Sequence, residues 1–129
     1  MPLVHVYMVK GRDGDALRQT LDAIHRVVVS TFKVPMRDRY QIVHERDPSH
    51  FIVEDTGLGI TRSDKVLLIH VISRPRTRAA KVEFYRAVCE VLQDSCDVSS
   101  DDIVVTFTTN DDEDWSFGRG RAQFLTGEL

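Results

Sequence analysis

Proline at position two is the residue with the most chemical potential in this chain. Removal of the initiator methionine before a small residue leaves Pro2 as the amino terminus. Its secondary amine then acts as a base when neutral, an acid when protonated, or a nucleophile that condenses with an aldehyde or ketone. With Met1 retained, the same nitrogen is an unreactive amide. A second candidate is Arg74-Pro75-Arg76. Pro75 biases Arg74 towards extended angles, and the two-residue strand period then sends both guanidiniums to one side. Two planar forks side by side suit a carboxylate, although a solvated basic turn continuing into Arg78 and Lys81 is the plainer reading. Asp38 is the third, inside Arg37-Asp38-Arg39, either an ion pair of a strand end or a carboxylate that holds a proton, water or carbonyl partner near the amine.

Other chemistries find little support. His5, His25, His44, His50 and His70 are scattered, none at an i, i+4 metal spacing, and read as structural. No glycine-rich phosphate loop joins a strand to a helix, there is no nucleophile elbow, and no cofactor motif occurs. Gly57-Leu58-Gly59 reads as a turn. Cys89 and Cys96 lie seven residues apart in one helical pattern, too far for a disulfide.

These residues are carried by one unit stated twice. Leu3 to Val9 is a short apolar run with β-branched residues, ending at Lys10-Gly11-Arg12-Asp13-Gly14. Leu17, Leu21, Ile24, Val28 and Phe32 then form one face of an amphipathic helix that Asp13 or Asp15 caps and Pro35 ends. Arg39 to His44 reads as a second strand. Downstream, Val66 to Ile72 is a strand, and Thr77 opens a helix with Val82, Tyr85, Val88, Cys89 and Leu92 on its apolar face. Asp102 to Thr109 is the closing strand. Pro2 falls on Val66, Leu21 on Tyr85, Val34 on Val98 and Asp38 on Asp102, all without a gap (66 − 2 = 64). The pattern predicts a single α/β domain of pseudo-repeats 2–45 and 66–109, with four core strands in one mixed sheet and both helices on one face. The other sheet face lacks cover, and its apolar residues point to burial by other subunits.

Between the repeats, Phe51-Ile52-Val53 reads as a possible short strand. After them come residues 110–129, where the run of four acids from Asp111 to Asp114 reads as a solvated loop. Trp115, Phe117 and Phe124 follow without helical period and need something to bury them.

Length and composition bound the rest. At 129 residues the chain is one domain. Apolar residues are 42% and charged residues 29%, ordinary for a globular protein and not for a disordered one. The net charge of −3 speaks against a nucleic-acid partner. No stretch approaches the roughly 20 apolar residues of a membrane span, and the start lacks the basic and apolar blocks of a signal peptide. The expectation is a reduced, cytoplasmic protein with neither nucleic acid nor membrane as partner.

The tandem βαβ repeat with its amino-terminal proline resembles the tautomerase superfamily, whose fold is that of macrophage migration inhibitory factor. More narrowly, it resembles the malonate semialdehyde decarboxylase family. The resemblance rests on Pro2, Val34-Pro35-Met36-Arg37-Asp38-Arg39-Tyr40-Gln41-Ile42, Glu54-Asp55-Thr56-Gly57-Leu58-Gly59 and Ser73-Arg74-Pro75-Arg76. It continues through Asp114-Trp115-Ser116-Phe117-Gly118 and Ala122-Gln123-Phe124-Leu125-Thr126-Gly127. It implies a cofactor-independent carboxy-lyase whose catalytic amine is Pro2, whose acid is Asp38 and whose carboxylate clamp is Arg74 and Arg76. It further implies an apolar wall of Trp115, Phe117, Phe124 and Leu129, a homotrimer, and a small 3-oxo or unsaturated carboxylic acid as substrate. Arg119 and Arg121 depart from this by adding two cations beside the wall. The same parts also serve a hydratase or dehalogenase of haloacrylate- or alkynoate-type acids, or a keto–enol tautomerase. With Met1 retained, a non-catalytic oligomeric binding protein is the remaining reading.

Overall fold

The computed structural model describes residues 1–129. Strand β1 (Leu3–Val9) leads to helix α1 (Gly14–Phe32) and strand β2 (Tyr40–Arg46). Strand β3 (Leu67–Ser73), helix α2 (Arg78–Cys96) and strand β4 (Ile103–Thr109) repeat that order, and a four-residue helix α3 (Gln123–Thr126) lies near the end. The sheet order is β2-β1-β3-β4, with β1 parallel to β2, β3 parallel to β4, and the two halves antiparallel through β1 and β3. This is the tandem β-α-β, four-stranded mixed sheet that the sequence pattern implies.

Local chemistry sets the helix ends. Asp13 and Thr77 accept hydrogen bonds from the backbone N–H of Ala16 and Ala80, and each pairs an otherwise orphan donor of the first turn. Both helices close on a left-handed residue, Lys33 and Asp97. Between the β1 and β3 strands, and between the two helices, the offset is 64 (67 − 3; 78 − 14), whereas β2 and β4 differ by 63 (103 − 40). The turns that precede these last strands still match at 64, since the N–H of Asp38 bonds the carbonyl of Pro35 and that of Asp102 bonds Ser99. One residue is therefore missing just after Asp102, and the final strands do not superpose at the gapless register.

The core lies between one sheet face and the helices. Val4, Val6 and Met8 from β1 and Leu67, Ile69 and Val71 from β3 meet Ile24, Val28 and Phe32 from α1 and Phe84, Val88 and Leu92 from α2. The buried stripe of α2 departs from the sequence reading. Phe84, Val88 and Leu92 recur every four residues and are buried, whereas Val82 and Tyr85 are exposed. Val82 stands about 200° around the helix from Phe84, which faces it away from the sheet.

Two further expectations change. Phe51-Ile52-Val53 is not a strand: Pro48–His50 forms one 3-10 turn, the segment has no ladder partner, and Ile52 is exposed. The acidic run is exposed, as read, but it is ordered, because Asp112–Asp114 winds into a 3-10 turn and the Asp111 N–H donates to the Asp114 carboxylate. Gly57 and Gly59 do form a turn, donating their N–H groups to the Asp55 carboxylate.

The opposite sheet face carries no helix. Leu3, His5 and Tyr7 of β1, Ile42 and His44 of β2, Leu68, His70 and Ile72 of β3 and Val104 of β4 share it by strand register. Three histidines that are distant in sequence meet there. His5 Nδ1 is 2.8 Å from His44 Nε2, His5 stacks at 5.9 Å on His70, and His44 stacks at 4.3 Å on Tyr7. His25, by contrast, is a buried core residue whose Nε2 lies 2.5 Å from the Met36 carbonyl.

Candidate active site

The site forms where the start of β1 lies beside the end of β3, since Leu3 pairs with Ile72 across the two antiparallel strands. That arrangement brings the chain's amino terminus, the Asp38 turn and the Arg74-Pro75-Arg76 segment together. Asp38 sits in the turn before β2 and not on the strand, with Oδ2 3.3 Å from the Met1 amine and its side chain only 8% exposed. Neighbouring Arg39 does not neutralise it, because that guanidinium binds Asp22 and Gln41, each at 2.7 Å. Pro2 is buried directly behind.

Each arginine is anchored along part of its guanidinium. Arg74 donates from Nη1 to Asp112 Oδ1 at 3.0 Å and lies 3.8 Å over the ring of Phe124. Arg76 donates from Nε to the buried Ser73 Oγ at 3.0 Å and from Nη1 to the Phe32 carbonyl at 3.2 Å. What remains is informative: Arg74 Nε and Arg76 Nη2 are buried without a hydrogen-bond partner, and the 3.3 Å ion pair with the Met1 amine is the one polar contact of Asp38 Oδ2. Buried polar atoms are normally paired, and two guanidinium exceptions whose charges act on the amine that Asp38 holds mark a place prepared for a polar ligand.

The electrostatics agree with that grouping. Burial holds the Met1 amine below the ordinary α-amino range, Arg76 and Arg74 add to the effect, and Asp38 opposes it. Burial likewise lowers the Arg76 guanidinium, and the charge of Arg74 does so further. Two like charges held close and partly dry gain from an incoming anion.

An apolar wall completes the site. Trp115 and Phe117 stack at 5.3 Å, Phe117 meets Phe124 edge-on at 5.3 Å, and Tyr40 tilts against Phe117 at 5.8 Å. Trp115 donates to Asn110 Oδ1 at 2.7 Å, while Gln123 takes the Phe117 N–H and donates to the Gly118 carbonyl. A cavity of about 260 Å³ lies against this wall, lined by Met1, Asp38, Tyr40, Phe117 and Leu129 with Pro35 and Arg37. Arg74 and Arg76 do not line that cavity; they reach the same amine through their charge. Arg121 is not a free cation beside the wall, since Glu128 pairs with it at 2.9 Å.

Sequence reasoning missed Tyr40, Ser73, Asp112 and Gln123. Tyr40 carried a usable signal, lying two residues beyond Asp38 at the mouth of a strand. The others act across distances that no local pattern records.

A family model for tautomerase enzymes matches residues 38–118, and a second, also for tautomerase enzymes, matches residues 2–61. The chain belongs to the tautomerase family. A probable tautomerase of Bacillus subtilis, YrdN, is 47% identical over the full length of both chains, and a second, YusQ, is 30% identical over 97% of this chain and 99% of its own. Among solved structures, a malonate semialdehyde decarboxylase described with decarboxylase and hydratase activities is 46% identical, covers 98% of each chain and superposes with a TM-score of 0.97. Another, inhibited by 3-bromopropiolate, is 39% identical over 98% of this chain and 97% of its own, with a TM-score of 0.94. A fused 4-OT described as a symmetric trimer is 20% identical over 97% and 98% of the two chains, with a TM-score of 0.78, a likeness of fold. No helix of this tautomerase is long and apolar enough to cross a membrane.

Proposed function

We propose that this tautomerase-family chain, once Met1 is removed, decarboxylates malonate semialdehyde to acetaldehyde and CO2 with Pro2 as the catalytic amine. The observation that carries the reading is a pair of buried guanidinium nitrogens without partners, Arg74 Nε and Arg76 Nη2, together with an amine that Asp38 Oδ2 holds at 3.3 Å. A 3-oxo acid has a carboxylate for the guanidiniums and a carbonyl for the amine. Loss of Met1 also removes one wall of the 260 Å³ cavity and brings the amine back by one residue, about 3.8 Å between Cα atoms.

The chemistry balances simply. The bond between the carboxylate carbon and C2 breaks, and its electron pair moves towards C3 and its oxygen. A protonated Pro2, kept in place by Asp38, donates a hydrogen bond to that oxygen as negative charge develops there. Protonation at C2 then gives acetaldehyde. Arg74 and Arg76 orient the carboxylate so that the breaking bond lies parallel to the carbonyl π system. Trp115, Phe117, Phe124 and Leu129 offer apolar surface to the departing neutral CO2, which keeps carboxylate binding from favouring the ground state alone. A neutral Pro2 forming an iminium is the alternative electron sink. A homotrimer follows from the helix-free sheet face, and the fused 4-OT of the same fold is a trimer.

Hydration of an unsaturated three-carbon acid is the second reading, favoured by the hydratase activity of the 46% identical relative. There, Asp38 activates water and Pro2 protonates C2.

The test is to incubate Met-processed protein with malonate semialdehyde and follow acetaldehyde. The expected result is turnover that falls at least about a hundredfold in Pro2→Ala and in Arg74→Ala, the size typical of a lost acid–base group. Acetaldehyde formed equally by Pro2→Ala overturns the role of the amine. A 3-oxo acid formed from a haloacrylate or alkynoate, with no acetaldehyde from malonate semialdehyde, moves the assignment to the second reading.

A further inference from the structure

The repeat places a second basic pair at the opposite end of the sheet. At the offset of 64, Lys10 corresponds to Arg74, Arg12 to Arg76, Asp102 to Asp38, Cys96 to Phe32 and Lys65 to Met1. These counterparts meet in space as their equivalents do. A cavity of about 310 Å³ opens at the end of β1, lined by Lys10, Arg12, Lys65, Cys96, Thr20 and Asp64 among others.

The two ends differ in what already occupies them. At the first end Asp38 faces an amine, with Oδ2 3.3 Å from the Met1 nitrogen. At the second the chain runs through: the N–H and Oγ of Ser63 bind the two oxygens of buried Asp102 at 2.7 and 2.5 Å. The Lys65 carbonyl accepts from Arg12 Nη2 at 2.9 Å. The acid is thus satisfied and no free α-amine is present, which removes the proton-transfer partners but leaves the cations. Arg12 makes that single hydrogen bond and keeps its other N–H groups for a ligand. Lys10 is held by an exposed ion pair of 3.4 Å to Asp47, and Lys65 by one of 3.4 Å to Asp97 together with a hydrogen bond to the Asp97 carbonyl at 3.2 Å; exposed ion pairs of this kind contribute little, and a competing anion displaces them. Burial also lowers the Arg12 guanidinium, with Cys96, Asp64, Asp102 and Glu45 opposing, so a further anion near it is favoured.

We propose that this second cavity is a non-catalytic binding site for a small organic carboxylate, gripped by Arg12 and by the ammonium groups of Lys10 and Lys65. The inference holds whether or not the first cavity is catalytic, because it rests on the repeat and on the cations of the second.

The test is a malonate titration of the isotope-labelled full chain followed by backbone amide shifts, with sodium chloride at matched ionic strength as control. Saturating shifts are expected at Gly11, Thr20 and Lys65, in addition to any at Arg74 and Arg76. In Lys10→Met and Arg12→Gln the first set weakens at least about tenfold, the effect of losing one charge-assisted contact, while the second set is unmoved. If Arg12→Gln unfolds the chain, Lys10→Met and Lys65→Met, both changed at exposed side chains, give the same reading. Saturation confined to the Arg74 and Arg76 end overturns the proposal. So does an absence of saturating shifts at Gly11, Thr20 and Lys65, or an equal response to chloride.

Discussion

The amine at the start of the chain is pulled in two directions, and the balance has a measurable sign. Burial, Arg76 and Arg74 lower the pKa of the Met1 amine while Asp38 raises it; in the proposed reaction Asp38 is the carboxylate that favours a cationic Pro2 once Met1 is gone. If the cationic amine is the working form, decarboxylation falls with rising pH, about tenfold per unit beyond the pKa. Asp38→Asn removes the one opposing charge, so its alkaline limb shifts to lower pH; a rate profile on both proteins checks this. An iminium route gives the reverse slope. At this scale the sequence carried Pro2, Asp38, Arg74 and Arg76, because unusual residue types at a family's motif positions are visible without a structure. Ser73 and Asp112 were invisible for a physical reason: their function is to hold particular guanidinium nitrogens, and Asp112 comes from a run of acids that composition reads as solvated.

Periodicity located both helices and all four strands to within a residue or two, since strand and helix repeats differ and Asp13 and Thr77 flag the helix starts. It was weakest where several apolar phases compete. Val82 and Tyr85 share a helix with Phe84, Val88 and Leu92, and only the packing of Phe84 against Phe32 and Phe107 selects the stripe that faces inward. It also gave Phe51-Ile52-Val53 a strand's composition, but a strand needs a partner edge. The caps are separable contributors to stability: Asp13→Ala and Thr77→Ala should each cost about 1 kcal/mol and be additive in a denaturation series, as the two sites share no partner. Gln123 does a different task, fixing Phe117 through two hydrogen bonds. Gln123→Ala is expected to lower kcat/KM about tenfold with little change in Tm, which steady-state kinetics beside a melting curve will separate; equal loss of both would make Gln123 a structural residue.

At the level of the molecule, one sheet face is covered by helices and the other is bare, so the single chain is half of a buried arrangement. Light scattering should give about three times the 14.7 kDa chain mass, and a compact monomer would remove the trimer from the proposed function. The bare face was foreseen from the repeat; its histidines were not, because His5, His44 and His70 are brought together only by strand register. Burial, then His44 and His70, lowers the His5 imidazole, so the neutral ring is the form this face prefers. A group with a depressed pKa adds stability above its ordinary value, near 6.5, and that stability drains away as acid is added. Tyr7, His44 and His70 are the groups facing it, with Thr108 behind His70, and none is an anion able to compensate. Covering this face with other copies deepens that preference of His5. Acid below the ordinary imidazole value near 6.5 should therefore loosen the assembly while each helix-covered core stays folded, and His5→Gln should blunt that response in a light-scattering pH series. The sheet that joins the copies would then be a seam that protons can unpick.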